Sequence, residues 1–141
     1  MDLINKTGGK FHVSGDWWWF FTNLAYEHGW APKGTRRPPN LNDSVAWSGD
    51  YDTSDGQIVE AEDAGCIAAA LQSALDDPNA RKVIDALLDE WFSDAKKLLE
   101  NPHITEKQKA AVRATARRPI FDADFTRALI GFCKQGEFQL V

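Results

Sequence analysis

The sequence predicts an α+β domain, mainly helical, with about four to five helices and a small antiparallel sheet that includes the N- and C-terminal strands. Three observations predict it. Apolar residues recur at helical spacing through most of the interior. The segments KFHVS (10–14) and EFQLV (137–141) alternate with period two. Glycine, proline and aspartate punctuate the stretches between. With 141 residues, 43% hydrophobic and 11% aromatic, the chain fits one domain, residues 1–141, able to build a core.

In KFHVS, Phe11 and Val13 face one side of a short strand. DWWWFFTNLAYEHG then reads as a helix that Asp16 can cap and Gly29 can end in the left-handed conformation. Trp17, Phe20, Phe21, Leu24 and Ala25 share its apolar face. Successive helical residues turn by about 100°, so three consecutive tryptophans cannot all face one core. Trp17 is the expected core residue, Trp18 packs beside Phe21 and Ala25, and Trp19 lies partly outside, near Tyr26.

Prolines 32, 38 and 39 forbid a continuous helix over 30–49, which is a long loop pinned by Trp30 and Trp47. Ser54-Asp55-Gly56 is a turn, and Gln57, Ile58 and Val59 form a strand with Ile58 inward. The sheet is expected to pair the KFHV and EFQL ends with strands flanking residues 47–59. EDAGCIAAALQSAL makes a helix whose narrow face (Ala64, Ile67, Ala68, Leu71, Leu75) suits close packing on the tryptophan-rich helix. Asp77-Pro78 is a helix start. Val83, Ile84, Leu87, Leu88, Trp91, Ala95 and Leu98 form one stripe almost to Asn101-Pro102. That helix has about 22 residues and is roughly 33 Å long. Thr105 and Gln108 form a capping box for EKQKAAVRATARR, and DFTRALIGFCKQ begins near Asp122 or Asp124 and ends at Gly136.

The formal charge is −5, which argues against a nucleic-acid partner. No run approaches the ~18 apolar residues of a membrane span. MDLINKTGGK lacks the apolar stretch of a signal peptide, and two distant cysteines, Cys66 and Cys133, suit a reducing cytoplasm with both thiols buried. Charge is uneven. Residues 40–63 hold seven acids and no Lys or Arg, whereas 103–118 hold five bases against Glu106. Both read first as solvated faces.

GDYDTSDGQIVEAED resembles a calcium loop, with Asp50, Asp52, Asp55 and Glu62 as candidate ligands. If Asp55-Gly56 takes the fifth and sixth loop positions, Glu62 falls at the twelfth. Tyr51 and Thr53 then occupy the first and third, where carboxylates are required, and no entering helix precedes. The other reading places Glu60, Glu62 and Asp63 in the first turn of the following helix, where the helix dipole favours acids.

The pieces GWAPKGT (29–35), YDTSDGQIVEAEDA (51–64) and GFCKQGEFQL (131–140), in this order, resemble a group of small uncharacterised bacterial proteins. That group's pattern is Gly-Trp-x-Pro-x-Gly-Thr, then Tyr-x-x-Asn/Ser-Asp-Gly-Gln-x-Val with Asp-Ala, then a glycine-rich, phenylalanine-containing end. The resemblance implies a soluble cytoplasmic bacterial protein and carries no activity, so no catalytic residue follows from it.

No Walker loop, GxGxxG, GxSxG or HExxH occurs, and His12, His28 and His103 sit in unrelated segments. No catalytic or cofactor-binding residue is assigned. The tryptophan and tyrosine surplus points to a non-catalytic protein-interaction module, a bacterial immunity or accessory protein or a homodimer, with contact residues Trp18, Trp19, Tyr26, Trp30, Trp47 and Tyr51. The alternative is a small enzyme or ligand-binding protein with an aromatic cleft at Trp30, Trp47 and Tyr51. Calcium binding at 50–62 is a second alternative.

Overall fold

A computed structural model describes residues 1–115 and 117–141. The elements run β1 (Asp2–Asn5), β2 (Lys10–His12), α1 (Gly15–Glu27), β3 (Ile58–Val59), α2 (Ala61–Asp76), α3 (Ala80–Glu100), α4 (Glu106–Thr115), α5 (Ala123–Cys133) and β4 (Phe138–Leu140). The fold is α+β and mainly helical, and strands from both chain ends enter one antiparallel sheet of order β2-β1-β4-β3. The chain divides into two compact units, Met1–Pro78 with Asp122–Val141, and Asn79–Phe121.

In the first unit the sheet departs from expectation. EFQL pairs with Ile58–Val59 as expected, but KFHV pairs instead with DLIN, which lies between it and EFQL: Leu3 pairs with Phe11 on one side and Leu140 on the other. The turn after β1 explains this. Asn5 Oδ1 accepts from Thr7 N, Thr7 Oγ1 and Gly9 N at 3.1, 2.9 and 2.7 Å, and Gly8 takes φ 83°. A local hairpin therefore forms and occupies one edge of β1. Of the strands expected around 47–59, the described residues hold only β3, joined by an isolated bridge to Arg36. Its phase is also reversed. Gln57 and Val59 are buried and Ile58 is half-buried. The Gln57 amide tolerates burial because Nε2 donates to Thr53 O (2.6 Å) and Oε1 accepts from Asp55 N (2.9 Å).

Helix α1 starts at Ser14, not Asp16, and the Ser14 hydroxyl accepts from Trp17 N at 3.2 Å. Gly29 ends it as expected. With φ 99° it donates to Tyr26 O, and Trp30 N donates to Ala25 O at 3.0 Å, which is the Schellman pattern. Trp18, 1% exposed, is the core tryptophan, and Trp17 is half-buried, the reverse of expectation. The reason is that α1 is covered from several directions. It packs on α2, Trp18 meets Phe138 of β4, and Phe21 stacks on Phe125 of α5. Trp17 instead roofs Phe20 and Phe21. The small-residue side chains of α2 let it approach both α1 and α5. Asp122 caps α5 through Asp124 N and Phe125 N, and Gly136 follows its end with φ 115°.

In the second unit, Asn79 precedes α3, two residues later than the expected start, because Pro78 and Asn79 form a turn. Ala80, Ile84, Leu87 and Leu88 are buried along α3, whereas Leu98 at the far end of the stripe is exposed. The capping box forms: Gln108 N donates to Thr105 Oγ1 (3.2 Å) and Thr105 N to Gln108 Oε1 (2.9 Å). The helix expected over EKQKAAVRATARR runs to Thr115; Ala116 lies outside the described residues, and Arg117 and Arg118 are not helical. Arg118 instead bridges Asp85 and Asp89 of α3 at 3.2 and 2.9 Å.

Both cysteines are free, and Cys66 is exposed rather than buried. Burial pushes the Cys133 thiol up to about 12. Among the described residues no helix is long and apolar enough to cross a membrane.

Candidate functional site

The strongest polar constellation is in the first unit, where the 30–52 loop meets the start of α2. Asp63 sits in the first turn of α2 and is 1% exposed. The Trp30 indole donates to its Oδ1 at 2.7 Å, and the Tyr51 hydroxyl donates to its Oδ2. Tyr51 Oη also accepts from Gly34 N at 2.8 Å. The helix dipole at this position favours the carboxylate as well. Burial, and then the Asp63 carboxylate, push the Tyr51 phenol well above its ordinary range, so it stays a proton donor. The rings of Trp30 and Tyr51 meet edge to face, 5.0 Å between centroids. Beneath them, Trp18 Nε1 donates to Tyr51 O at 2.7 Å. The loop is closed on itself by Thr35 N to Gly49 O (2.9 Å), Thr35 Oγ1 to Asp50 O (2.6 Å) and Trp47 Nε1 to Thr35 O (3.0 Å).

This scaffold forms one wall of an open cleft of about 220 Å³, lined by Thr22, Asn23 and Tyr26 of α1 and by Trp30, Pro32, Asp50, Tyr51 and Asp52 of the loop. Tyr26 stands at its rim, 62% exposed. Thr22 Oγ1 and Asn23 Nδ2 donate back to the α1 backbone, which fixes the helical wall.

The candidate contact residues divide accordingly. Tyr26, Trp30 and Tyr51 come together in the cleft. Trp18 lies in the core behind it and presents no surface. Trp19 is half-buried and Trp47 pins the loop, and neither lines the cleft. Asp63 was legible only as a dipole-favoured acid. Its place at the head of the stripe Ile67, Ala70 and Ala74 on α2 is the signal that marks it as buried and partnered. Thr22, Asn23 and Pro32 carried no such signal.

The calcium candidates do not converge. Asp50 accepts from Ser48 Oγ (2.7 Å) and Thr53 Oγ1 (3.1 Å), and these bonds hold its carboxyl below the usual range. Glu62 pairs with Lys33. Among the described residues no group of three or more His, Cys, Asp or Glu side chains is arranged to hold a metal ion. The acidic stretch finds cations in the first half of its own loop: besides Lys33, Arg36 reaches Glu60 (3.1 Å) and Glu137 (3.4 Å).

Two histidines face carboxylates, but away from the cleft lining. His12 Nδ1 lies 2.8 Å from Asp2, and His28 lies between Leu24 O (3.0 Å) and Asp77 (3.3 Å). The cleft offers aromatic walls fixed by hydrogen bonds, with Asp50, held by Ser48 and Thr53, and exposed Asp52 in its lining. No protein-family model, no curated protein and no solved structure matches this chain.

Proposed function

We propose that the protein is a non-catalytic protein-interaction module, bacterial and cytoplasmic, of the immunity or accessory type or self-associating, and that it meets its partner at the cleft face of α1. One observation carries this reading. Tyr26, an exposed aromatic, stands at the rim of a concave surface whose other aromatic walls, Trp30 and Tyr51, are hydrogen-bonded in place. An exposed tyrosine beside a preformed hollow has the composition of an interface anchor. A wall that is already ordered reduces the entropy lost on association. The resemblance of GWAPKGT and YDTSDGQIVEAEDA to small bacterial proteins supports only the bacterial and cytoplasmic part of this reading, since it carries no activity.

The test compares wild type with Tyr26→Ala. Sedimentation velocity measures self-association, and affinity capture followed by cross-linking locates any partner. The expected result is an association whose cross-links fall at residues 22–26 and 50–52. Tyr26→Ala should weaken it about tenfold or more without lowering the melting temperature. A monomer with no partner at this face, or unchanged association in the variant, would overturn the reading. The aromatic lining at Trp30 and Tyr51 also favours a second reading, a protein that binds a small ligand without a macromolecular partner; that reading predicts ligand binding in a strictly monomeric protein.

A further inference from the structure

We infer that the cleft takes the guanidinium head of an arginine side chain presented by a basic segment of the partner. This rests on the reading of the cleft as an interaction site and names the chemistry it recognises.

The lining is rich in hydrogen-bond acceptors and contains no cationic side chain. Its natural donors face elsewhere. Trp30 Nε1 and the Tyr51 hydroxyl point to Asp63, and Asn23 Nδ2 points to Trp19 O. The other lining residues include two acids, Asp50, whose carboxylate already accepts from Ser48 and Thr53, and Asp52, together with the Tyr26 phenol and the aromatic walls. An anion would find the Tyr26 hydroxyl there but no cationic side chain, and two acids against it. A cation finds carboxylates together with aromatic rings, the pairing that favours desolvated cations.

The loop's own cations leave the site open. Lys33 pairs with Glu62, Arg36 with Glu60 and Glu137, and Arg37 donates to Asn42 O. Among the described residues neither Asp50 nor Asp52 forms an ion pair, and Asp50 is kept ionised by Ser48 and Thr53. At about 220 Å³ the cleft is smaller than the range of roughly 300 Å³ upward that suits drug-sized ligands, and it accommodates a single side chain. Acceptors spread over two carboxylates suit a planar fork with five N–H donors better than a compact ammonium, and a guanidinium also stacks on aromatic faces.

The experiment is a titration of ¹⁵N-labelled full-length protein with three blocked tripeptides, Gly-Arg-Gly, Gly-Lys-Gly and Gly-citrulline-Gly. Citrulline has the shape of arginine without its charge. The expected result is saturable shifts at Tyr26, the Trp30 indole and the amides of Asp50–Asp52 with the arginine peptide, with Kd on the order of 1 mM. Citrulline should bind at least about tenfold more weakly, with lysine between them. Asp52→Asn, which removes a charge without disturbing an internal hydrogen bond, should weaken the arginine peptide about threefold or more, and so should Asp50→Asn. No saturation with arginine, an equal response to citrulline, tighter binding of lysine, or unchanged affinity in both Asp variants would overturn the inference. The two proposals separate cleanly. Partner association that depends on Tyr26, without peptide binding, sinks the cation and leaves the module. Peptide binding as described, without any Tyr26-dependent association, sinks the module and leaves the chemistry of the cleft.

Discussion

The indole N–H of Trp30 donates to Oδ1 of Asp63 over 2.7 Å, joining residues 33 apart in the chain. Through this bond the loop that carries the cleft wall is tied to the first turn of α2. Asp63→Ala removes the acceptor of two donors, the buried Trp30 Nε1 and the half-buried Tyr51 hydroxyl. The expected loss is about 2–4 kcal/mol in a urea melt. Asp63→Asn keeps one acceptor oxygen and should lose less. In a double-mutant cycle of Asp63→Asn with Tyr51→Phe, a coupling of about 1 kcal/mol is expected, and strict additivity would show that the node does not act as a unit.

The three consecutive tryptophans should separate by stability. Trp18→Ala removes a fully buried side chain and its bond to Tyr51 O, so about 3–5 kcal/mol is expected, with partial or complete unfolding. Trp17→Ala and Trp19→Ala remove half-buried rings and should lower stability by less, about 1–2 kcal/mol. Thermal melts of the three variants side by side give the ranking, and a Trp17 variant as unstable as the Trp18 variant would contradict the packing of α1.

Gly49 takes φ 76°, and a Cβ there would meet Gly34 Cα at 3.4 Å. Gly49→Ala therefore strains the backbone and pushes on the segment that holds Tyr51. About 1–2 kcal/mol of destabilisation is expected, together with faster hydrogen exchange at Gly34 and Thr35. Exchange unchanged at these amides would mean that the two halves of the loop do not depend on one another.

The two thiols should behave differently. Near pH 8, a thiol reagent should label exposed Cys66 and spare Cys133 until the protein unfolds. The folded Cys133 thiol is raised from an ordinary 9.0 to about 12, so the folded state keeps a proton that the unfolded state releases. Its effect on stability is absent below pH 9.0 and grows as pH rises from 9.0 towards 12. Between those limits, wild type should lose stability relative to Cys133→Ala by an extra ~1.4 kcal/mol per pH unit. Parallel pH profiles for the two proteins would refute the burial of this thiol.

The elements with local signals were legible. The capping box at Thr105 and Gln108, the cap at Asp122 and the left-handed glycines at 29, 56 and 136 all lie where short-range rules place them. These rules work because caps and turns are completed by neighbours in sequence. The long stripe on α3 was legible for the same reason, although its start moved to Asn79. The tryptophan cluster was not. Periodicity ranks positions around a helix against one core direction, whereas α1 is covered by α2, β4 and α5 from several, and Trp18 rather than Trp17 faces the enclosed side.

The sequence by itself determined the fold class, the helices, the turns and the role of Trp30 and Trp47 as pins of the proline-rich loop. Only the tertiary structure decided that DLIN is the strand beside EFQL, that Asp63 is the hub for Trp30 and Tyr51, and that Asp50 and Asp52 line a cleft instead of circling a metal. The physical reason is range. A cap or a turn is decided within a few residues, but a strand pairing or a buried carboxylate is decided by which distant groups reach it first. Asp2–Asn5 and Phe138–Leu140 meet because the local β1–β2 hairpin leaves one edge of β1 open, and Asp63 is buried because two donors from the loop arrive to satisfy it.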